Sequence, residues 1–267
     1  MLIDFHAHCY PDDVWPKVAA AISRRYGNRV DNSGTLAGLV ESMRIAGVDY
    51  AVVQPVANQP RHVTSVNEWA ESVRNKHNNL IFFAAIHPGI EDPYDAVCSL
   101  AEKGFPGVKM QPNAGGYYPD SRECFEIYRA LSENGMVLLT HVGDELKPFK
   151  PLYSHPKYYR NVLESFPDMK IILAHLGGYN TWDDLDMILG CKNAYYDTAM
   201  SCEIGVKEYE SLIERIGIDS VLFGTDFPWY DIKKAVDYTR MVLGEKAEKL
   251  FSENPKKLIC FEEKNKT

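Results

Sequence analysis

The sequence lacks several features that would assign it to common protein classes. Among its 267 residues, no window approaches the roughly 20 consecutive apolar residues that a membrane-spanning helix needs. Its N-terminus has neither the basic region nor the apolar stretch of a signal peptide. The six cysteines never form a C-x-x-C pair, so we expect reduced thiols and no disulfide framework. These absences together predict a cytoplasmic protein with no membrane partner.

Long basic runs are also lacking, and the formal net charge is −8. Contacts to phosphates need clustered Lys and Arg side chains, so we do not expect nucleic acid as a partner. Neither the G-x-G-x-x-G fingerprint nor a P-loop motif follows any strand-like segment, which disfavours dinucleotide and P-loop folds. Hydrophobic residues make up 45% of the chain, enough for a large core. We expect a globular protein whose partner is a small molecule.

Eight short apolar segments, most of them followed by a helical pattern, organise the chain. They are Leu2–His8, Tyr50–Val56, Leu80–His87, Gly107–Gln111, Met136–Val142, Lys170–Leu176, Ala194–Met200 and Ser220–Phe227. Near-continuous hydrophobicity is typical of parallel strands buried on both faces. The pattern predicts an α/β protein with a single (β/α)₈ TIM-barrel domain over residues 1–267, and an open doubly wound sheet is the alternative.

Local signals place several of the helices between these strands. A helix starting near Leu36 should stop at Gly47, and Ser65 with Glu68 suggests a capping box at the start of another. Residues 10–33 form an insertion after the first strand, and we expect this segment to cover the barrel mouth.

Polar side chains recur where the predicted strands end. In a parallel barrel these ends open onto one shared mouth, so groups far apart in sequence converge there. His6 and His8 are two residues apart on one strand and therefore point to the same side. The other polar residues at strand ends are Lys109, Gln111, His141, His175, Asp197 and Asp226.

Two imidazoles at this spacing can grip one metal ion, and a third His with a carboxylate would complete the set. Taken singly, the residues have ordinary explanations: His141 and His175 could be hydrogen-bonded core histidines, and Asp226 could cap the turn before Pro228. Their joint occurrence at strand ends predicts a metal site. A mixed nitrogen and oxygen set suits Zn²⁺, which we expect first, and also Mn²⁺, Fe²⁺ or Co²⁺.

Four motifs resemble the amidohydrolase superfamily, in particular its branch of aminocarboxymuconate-semialdehyde decarboxylase-like proteins. They are Leu2-Ile-Asp-Phe-His-Ala-His, Leu138-Leu-Thr-His, Ile172-Leu-Ala-His-Leu-Gly-Gly and Leu222-Phe-Gly-Thr-Asp-Phe-Pro. The resemblance spans essentially the whole chain. It implies a barrel with one divalent ion, held by His6, His8, His141 and Asp226. His175 would stand beside the ion as a catalytic acid–base, with Asp226 sharing the proton transfer.

The resemblance leaves the reaction open. We expect first a metal-dependent hydrolase in which activated water attacks an amide, ester or lactone-type carbon. The alternative is a metal-dependent decarboxylase or hydratase of an unsaturated or aromatic carboxylic acid, and a barrel that binds a metal or a small molecule without catalysis is a third hypothesis. The sequence also leaves open the substrate, the metal and the oligomeric state, although dimers in the resembled branch suggest a homodimer by analogy.

Three residues are predicted to contact the substrate. Lys109 on the fourth strand would pair with a substrate carboxylate or support the pocket, whereas a carboxylated Lys109 would bridge a second metal. Asn113 follows the same strand and Trp229 follows Asp226, and both are predicted wall residues.

Overall fold

Nine short parallel β-segments form the centre of the computed structural model, which describes residues 1–27 and 32–261. They are β1 (Ile3–Ala7), β2 (Tyr50–Val53), β3 (Leu80–Phe82), β4 (Ala84–Ala85), β5 (Gly107–Met110), β6 (Val137–Thr140), β7 (Ile171–Leu173), β8 (Ala194–Asp197) and β9 (Val221–Leu222). Seven of them match predicted strands directly. The third predicted strand is divided at Phe83 into β3 and β4, so the nine segments represent the eight predicted strands.

The segments close into a barrel. Regular pairing gives the orders β1-β2-β3 and β4-β5-β6-β7-β8-β9, all parallel. The Phe83 N–H donates to the Val53 carbonyl at 3.0 Å, which carries the pairing across the break. At the other seam, the Phe5 N–H donates to the Phe223 carbonyl at 2.8 Å. The predicted TIM barrel is confirmed, and the open sheet is excluded.

Side chains from alternate strand positions fill the barrel interior. Phe5 and Phe83 meet edge to face inside it, with ring centroids 6.1 Å apart, alongside buried aliphatic residues such as Leu139 and Ile172. The intervening positions pack outward against the helices. Because both faces of each strand are buried, the sequence is apolar throughout these segments instead of alternating.

Nine α-helices accompany the strands within the described residues. They are α1 (Trp15–Tyr26), α2 (Leu36–Ala46), α3 (Val63–Val73), α4 (Pro93–Glu102), α5 (Pro112–Gly115), α6 (Arg122–Glu133), α7 (Tyr159–Ser165), α8 (Val206–Ile216) and α9 (Ile232–Leu243). A 3₁₀ helix, Trp182–Met187, follows β7. Over the part of the chain described, none of the helices is long and apolar enough to span a membrane.

Two local predictions about helix ends can be compared with the structure. Gly47 ends α2 with φ of 70°, a left-handed conformation that costs glycine little, as predicted. The capping box at Ser65 and Glu68 is wrong, because α3 already begins at Val63 and the Ser65 hydroxyl donates to the His62 carbonyl. A short 3₁₀ turn leads into α3 and supplies its start in place of a side-chain cap.

The predicted insertion, residues 10–33, contains α1. Its residues 28–31 lie outside the described part of the chain. Helix α1 places Val18, Ile22 and Tyr26 against the cavity at the C-terminal end of the barrel. This position makes α1 part of the wall of the candidate site.

Candidate metal centre and active site

Three predicted ligands meet at the C-terminal end of the barrel. His6 and His8 extend from β1, and Asp226 follows β9. The two Nε2 atoms are 3.2 Å apart, and Asp226 Oδ1 lies 3.0 Å from His8 Nε2 and 3.7 Å from His6 Nε2. All three side chains are buried, and their donor atoms lie within 4.8 Å of one another. This geometry fits ligands that surround one cation.

The outer nitrogens of both imidazoles face groups that can only accept hydrogen bonds. His6 Nδ1 lies 2.8 Å from a carboxylate oxygen of Asp197, and His8 Nδ1 lies 2.5 Å from the backbone carbonyl of Gln54. The protons therefore belong on the Nδ1 atoms, which leaves the Nε2 lone pairs free toward the cavity. Burial, together with the nearby charge of Lys109, lowers the pKa of His6 to about 4. His6 is thus a neutral imidazole at neutral pH, the form that binds metals.

His141 and His175 repeat the same arrangement next to this group. His141 Nε2 lies 3.1 Å from the Asp144 carbonyl, and His175 Nδ1 lies 3.1 Å from the Ala199 carbonyl. Their remaining nitrogens, His141 Nδ1 and His175 Nε2, face each other at 2.9 Å. Burial also lowers the pKa of both histidines, so neither imidazole easily gains a second proton.

The donor set as a whole suits a cation. With the protons on the outer nitrogens, two pairs of imidazole nitrogens face each other with lone pairs and no shared proton, beside the buried carboxylate of Asp226. Such lone pairs repel unless a positive charge lies among them. The nitrogen and oxygen donors fit the metals predicted from the sequence. His141 does not belong to the group formed by His6, His8 and Asp226. It lies close to that group through His175, whose ring centroid is 5.5 Å from that of His6. Its role as a fourth ligand stays a prediction.

Asp197, at the end of β8, holds two of these histidines in place. One carboxylate oxygen accepts from His6 Nδ1, and the other accepts the backbone N–H groups of His175 and Ala199, each at 3.0 Å. A carboxylate behind a metal-binding imidazole sets its tautomer and its orientation. The sequence placed Asp197 among the polar residues at strand ends but assigned it no role in the site. Its signal was a lone acidic side chain at the end of an otherwise apolar or aromatic strand.

Asp4 performs a similar task at the seam of the barrel. Its side chain accepts the N–H of His6 at 3.1 Å, and it accepts the N–H and the hydroxyl of Thr225 at 3.1 and 2.6 Å. Burial raises the pKa of Asp4 to about 7, against the lowering effect of these hydrogen bonds. These bonds tie the end of β1 to the loop that carries Asp226, and so bring the first and last ligands together.

The two residues predicted to be catalytic share an unusual backbone conformation. His175 has φ of 61° and Asp226 has φ of 63°, a left-handed region that costs side chains other than glycine some strain. Backbone hydrogen bonds hold both turns, from Asp226 N–H to the His6 carbonyl and from Leu176 N–H to the Asp197 carbonyl, each at 2.7 Å. Strain of this kind is concentrated at functional sites, where it aims a side chain in a required direction.

The predicted substrate-contacting residues divide into two groups. Lys109 Nζ lies 3.2 Å from His6 Nε2 at the base of the cavity, and burial lowers its pKa to about 8. Trp229 lines the mouth of the same cavity. Asn113 does not line it, because its amide bonds the Gly143 carbonyl and the backbone N–H groups of Tyr153 and Ser154. We therefore carry Lys109 and Trp229, and not Asn113, into the functional proposal.

The cavity above the cluster has a volume of about 400 Å³ and mostly apolar walls. The apolar and aromatic lining residues are Tyr10, Val18, Ala21, Ile22, Tyr26, Val56, Ala114, Leu146, Phe149, Met200 and Trp229. The polar residues away from the cluster are Arg25, Asn58, His62, Gln111 and Glu145. Most of this wall comes from loops and from α1. Apart from Trp229, which follows Asp226, the local sequence did not indicate which of their side chains would face inward.

A closed parallel barrel with metal-binding donors at its C-terminal rim defines a class of α/β-barrel enzymes that depend on metal ions. The chain belongs to the amidohydrolase superfamily: the family model described as Amidohydrolase matches residues 3–260. This match confirms the resemblance inferred from the four motifs. No curated protein sequence matches the chain significantly.

Solved structures with the same fold are named for different reactions. The 5-carboxyvanillate decarboxylase LigW from Sphingomonas paucimobilis aligns with a TM-score of 0.75 at 14% identity, over 96% of this chain and 98% of that one. A 5-carboxyvanillate decarboxylase from Novosphingobium aromaticivorans, with bound manganese, aligns with a TM-score of 0.72 at 14% identity, over 97% and 96%. A probable 2-pyrone-4,6-dicarboxylic acid hydrolase from Acinetobacter baumannii aligns with a TM-score of 0.68 at 15% identity, over 96% and 98%. At these identities the likeness shows the fold.

Proposed function

We propose that this protein is a metal-dependent enzyme that decarboxylates a small, planar unsaturated or aromatic carboxylic acid. One observation carries the proposal: the buried ammonium group of Lys109 lies 3.2 Å from His6 within the donor cluster, at the base of a mostly apolar cavity. A cation beside the predicted metal ligands gives a substrate carboxylate a partner at the point where the chemistry occurs.

The shape and lining of the cavity favour a molecule with one ring. About 400 Å³ is at the small end of ligand pockets, which range from about 300 to 1,000 Å³. Aromatic walls such as Tyr10, Phe149 and Trp229 favour a flat, apolar body. The similar proteins act, by their names, on ring compounds with carboxyl groups: 5-carboxyvanillate and 2-pyrone-4,6-dicarboxylic acid.

His6, His8 and Asp226 would hold the metal ion, with His141 as the predicted fourth ligand. When bound, a divalent ion supplies a Lewis acid that polarises a substrate oxygen and acidifies water. Lys109 orients the carboxylate, and the apolar walls exclude bulk water from it. When the carbon–carbon bond breaks and carbon dioxide leaves, the electron pair stays on the ring carbon and takes up a proton. We assign the transfer of that proton to His175: its bare Nε2, which faces the cluster, takes up a proton from solvent when the anionic substrate is bound and passes it to the ring carbon.

The character of the walls favours decarboxylation over hydrolysis. Decarboxylation converts an anionic group into neutral carbon dioxide, and an apolar surrounding favours the loss of that charge. Hydrolysis of a lactone or ester creates a new carboxylate and requires polar groups for the leaving oxygen. Hydrolysis is our second candidate, because the bare Nε2 of His175 is also placed to take a proton from an attacking water.

The test uses metal-loaded protein and a panel of single-ring hydroxybenzoates, unsaturated acids and lactones. Release of carbon dioxide would support decarboxylation, whereas proton release from a lactone without carbon dioxide would support hydrolysis. Metal-free protein should be inactive in both assays. Equal turnover with and without metal would contradict both candidates.

Lys109→Met tests the carboxylate contact, with metal content measured on the same sample. We expect KM to rise at least about tenfold, since one charge-assisted hydrogen bond to the substrate is lost. Lys233→Met is the matched control, because Lys233 pairs with Asp237 on the exposed surface of α9. An unchanged KM in Lys109→Met would show that the carboxylate binds elsewhere.

A further inference from the structure

Helix α1 forms one wall of the cavity, but it is weakly attached to the rest of the molecule. Of its twelve residues, all of them described, only Ile22 is buried. Helix α6 has the same length and five buried residues. A helix with so little buried surface can detach at a small cost in free energy without unfolding the barrel. Its few contacts therefore determine whether the cavity is closed.

The two ends of α1 are held in different ways. At the N-terminal end, Trp15 stacks on Tyr10 with ring centroids 5.7 Å apart, close to the chain that leaves β1. At the C-terminal end, Tyr26 and Arg25 reach across the mouth to the segment that follows β6. The first end has the character of a hinge, and the second end crosses the opening.

The contacts at the C-terminal end converge on Glu145. The Tyr26 hydroxyl donates to Glu145, and Arg25 Nε donates to the Tyr26 hydroxyl at 2.8 Å. Glu145 also accepts the side-chain amide of Gln111 at 3.3 Å, and Gln111 follows β5 just beyond Lys109. One carboxylate therefore joins the helix that covers the cavity to the strand that carries the proposed substrate anchor.

Two further contacts extend this junction. The Arg25 guanidinium lies over the Phe149 ring at 4.1 Å and donates to the Lys147 carbonyl at 3.1 Å. The Trp229 ring meets the Tyr26 ring edge to face, with centroids 5.3 Å apart. A movement of Tyr26 would therefore change the surroundings of Trp229, which lies three positions after the candidate ligand Asp226.

We propose that Glu145 is a positioning residue of this site: by accepting the Tyr26 hydroxyl it clamps α1 across the cavity, and substrate enters when the clamp opens. This inference deepens the proposed function, and its kinetic part rests on that function. While the clamp is closed, Val18 and Ile22 complete the apolar wall and keep water from the cluster. When it opens, the wall is lost and the base of the cavity is unchanged.

Limited trypsin digestion tests the clamp without substrate or metal. Arg24 and Arg25 lie in the last turn of α1, so cleavage there requires the end of the helix to open. We expect Tyr26→Phe and Glu145→Ala to speed this cleavage about three- to tenfold, as expected for the net loss of one hydrogen bond that is only partly shielded from water. Glu145→Gln keeps an acceptor for the hydroxyl, so its effect should be smaller than that of Glu145→Ala.

The chain offers a closely matched control. Tyr94 donates to Glu133 at 2.5 Å between α4 and α6, with the Arg129 guanidinium over its ring at 4.2 Å, on the outer surface. Tyr94→Phe removes the same kind of bond far from α1 and should leave the cleavage rate unchanged. Circular dichroism and thermal melting would show that each variant is folded.

A second readout reports on Tyr26 directly. Acrylamide quenching of Trp229, obtained by difference from a Trp229→Phe background, should increase in Tyr26→Phe and Glu145→Ala. The double variant should behave like either single variant, because both substitutions break the same contact, the hydrogen bond from the Tyr26 hydroxyl to Glu145. Unchanged cleavage and quenching in both single variants would overturn the clamp, and so would fully additive effects in the double variant.

The kinetic readout separates the clamp from the proposed reaction. With an active substrate, Tyr26→Phe should raise KM about three- to tenfold, because the wall that binds the substrate is closed for less of the time. The closed complex in which the reaction occurs is the same as in wild type, so kcat should change less. A fall in kcat at constant KM would overturn the positioning role. Absence of turnover in wild type, with the cleavage and quenching effects present, would refute the proposed function and leave the clamp standing.

Discussion

Asp197→Asn tests the most specific electrostatic feature of the site. Asn has nearly the shape of Asp, and the side chain is fully buried, so the packing should be preserved. An amide oxygen can replace only one carboxylate oxygen. If the amide oxygen accepts the N–H groups of His175 and Ala199, the NH₂ group faces His6 Nδ1, and that nitrogen must accept a hydrogen bond from it. The proton of His6 then moves to Nε2, which no longer has a lone pair for a metal.

The opposite orientation of the amide is no better. The NH₂ group would then face two backbone N–H groups, and three donors would meet with no acceptor. Loss of a partner behind a metal-binding His typically lowers metal affinity about 10- to 100-fold, which corresponds to about 1.4 to 2.7 kcal/mol. We expect Asp197→Asn to fall in this range for Zn²⁺ and Mn²⁺.

Competition with a chromogenic chelator on metal-stripped protein measures this affinity. Asp231→Asn is a suitable control, because Asp231 accepts the Lys234 N–H at 2.8 Å as the exposed N-cap of α9. It changes a carboxylate to an amide with no contact to the site. A folded Asp197→Asn protein that binds metal as tightly as wild type would refute the tautomer argument for His6.

Four further substitutions test single residues. Asp226→Asn should lose both metal and activity, whereas His175→Asn should keep the metal and lose most turnover. Metal analysis and rate assays on the same preparations test both expectations. An active Asp226→Asn protein would contradict the assignment of Asp226 as a ligand. Asn254→Ala should lower the free energy of unfolding, measured in urea, by about 2–3 kcal/mol, because the buried Asn254 amide donates to two backbone carbonyls at 2.8 and 2.7 Å. A decrease of less than about 0.5 kcal/mol would contradict this role. Burial lowers the pKa of His87, whose Nδ1 accepts the Gly89 N–H, so the unfolded chain binds its proton first. The stability that His87 contributes is therefore complete above about pH 6.5 and declines as the pH falls below that value. The free energy of unfolding of His87→Gln should decline less steeply than that of wild type between about pH 7.5 and 5. Identical slopes in the two proteins would refute the reasoning.

Local patterns were sufficient to predict the barrel. Strand-length apolar segments, each recurring after a helical stretch, leave few ways to bury both faces of every strand, and a closed parallel ring is one of them. The spacing of His6 and His8 also determined their relation, because residues two apart on a strand point to the same side. Asp226 could be assigned to the same rim because all parallel strands end there.

Contacts between distant segments were decided only by the tertiary structure. The acceptor behind His8 is the backbone carbonyl of Gln54, and since every residue has a carbonyl, no side-chain pattern could identify it. Asn113 looked like a wall residue from its position after a strand, but the loop after β6 folds back and takes up its amide. Glu145 is an ordinary loop residue in sequence and becomes the meeting point of three segments in the fold. The periodicity of a strand fixes the direction of its side chains locally, whereas the path of a loop depends on the surfaces it meets, and those exist only once the barrel has closed.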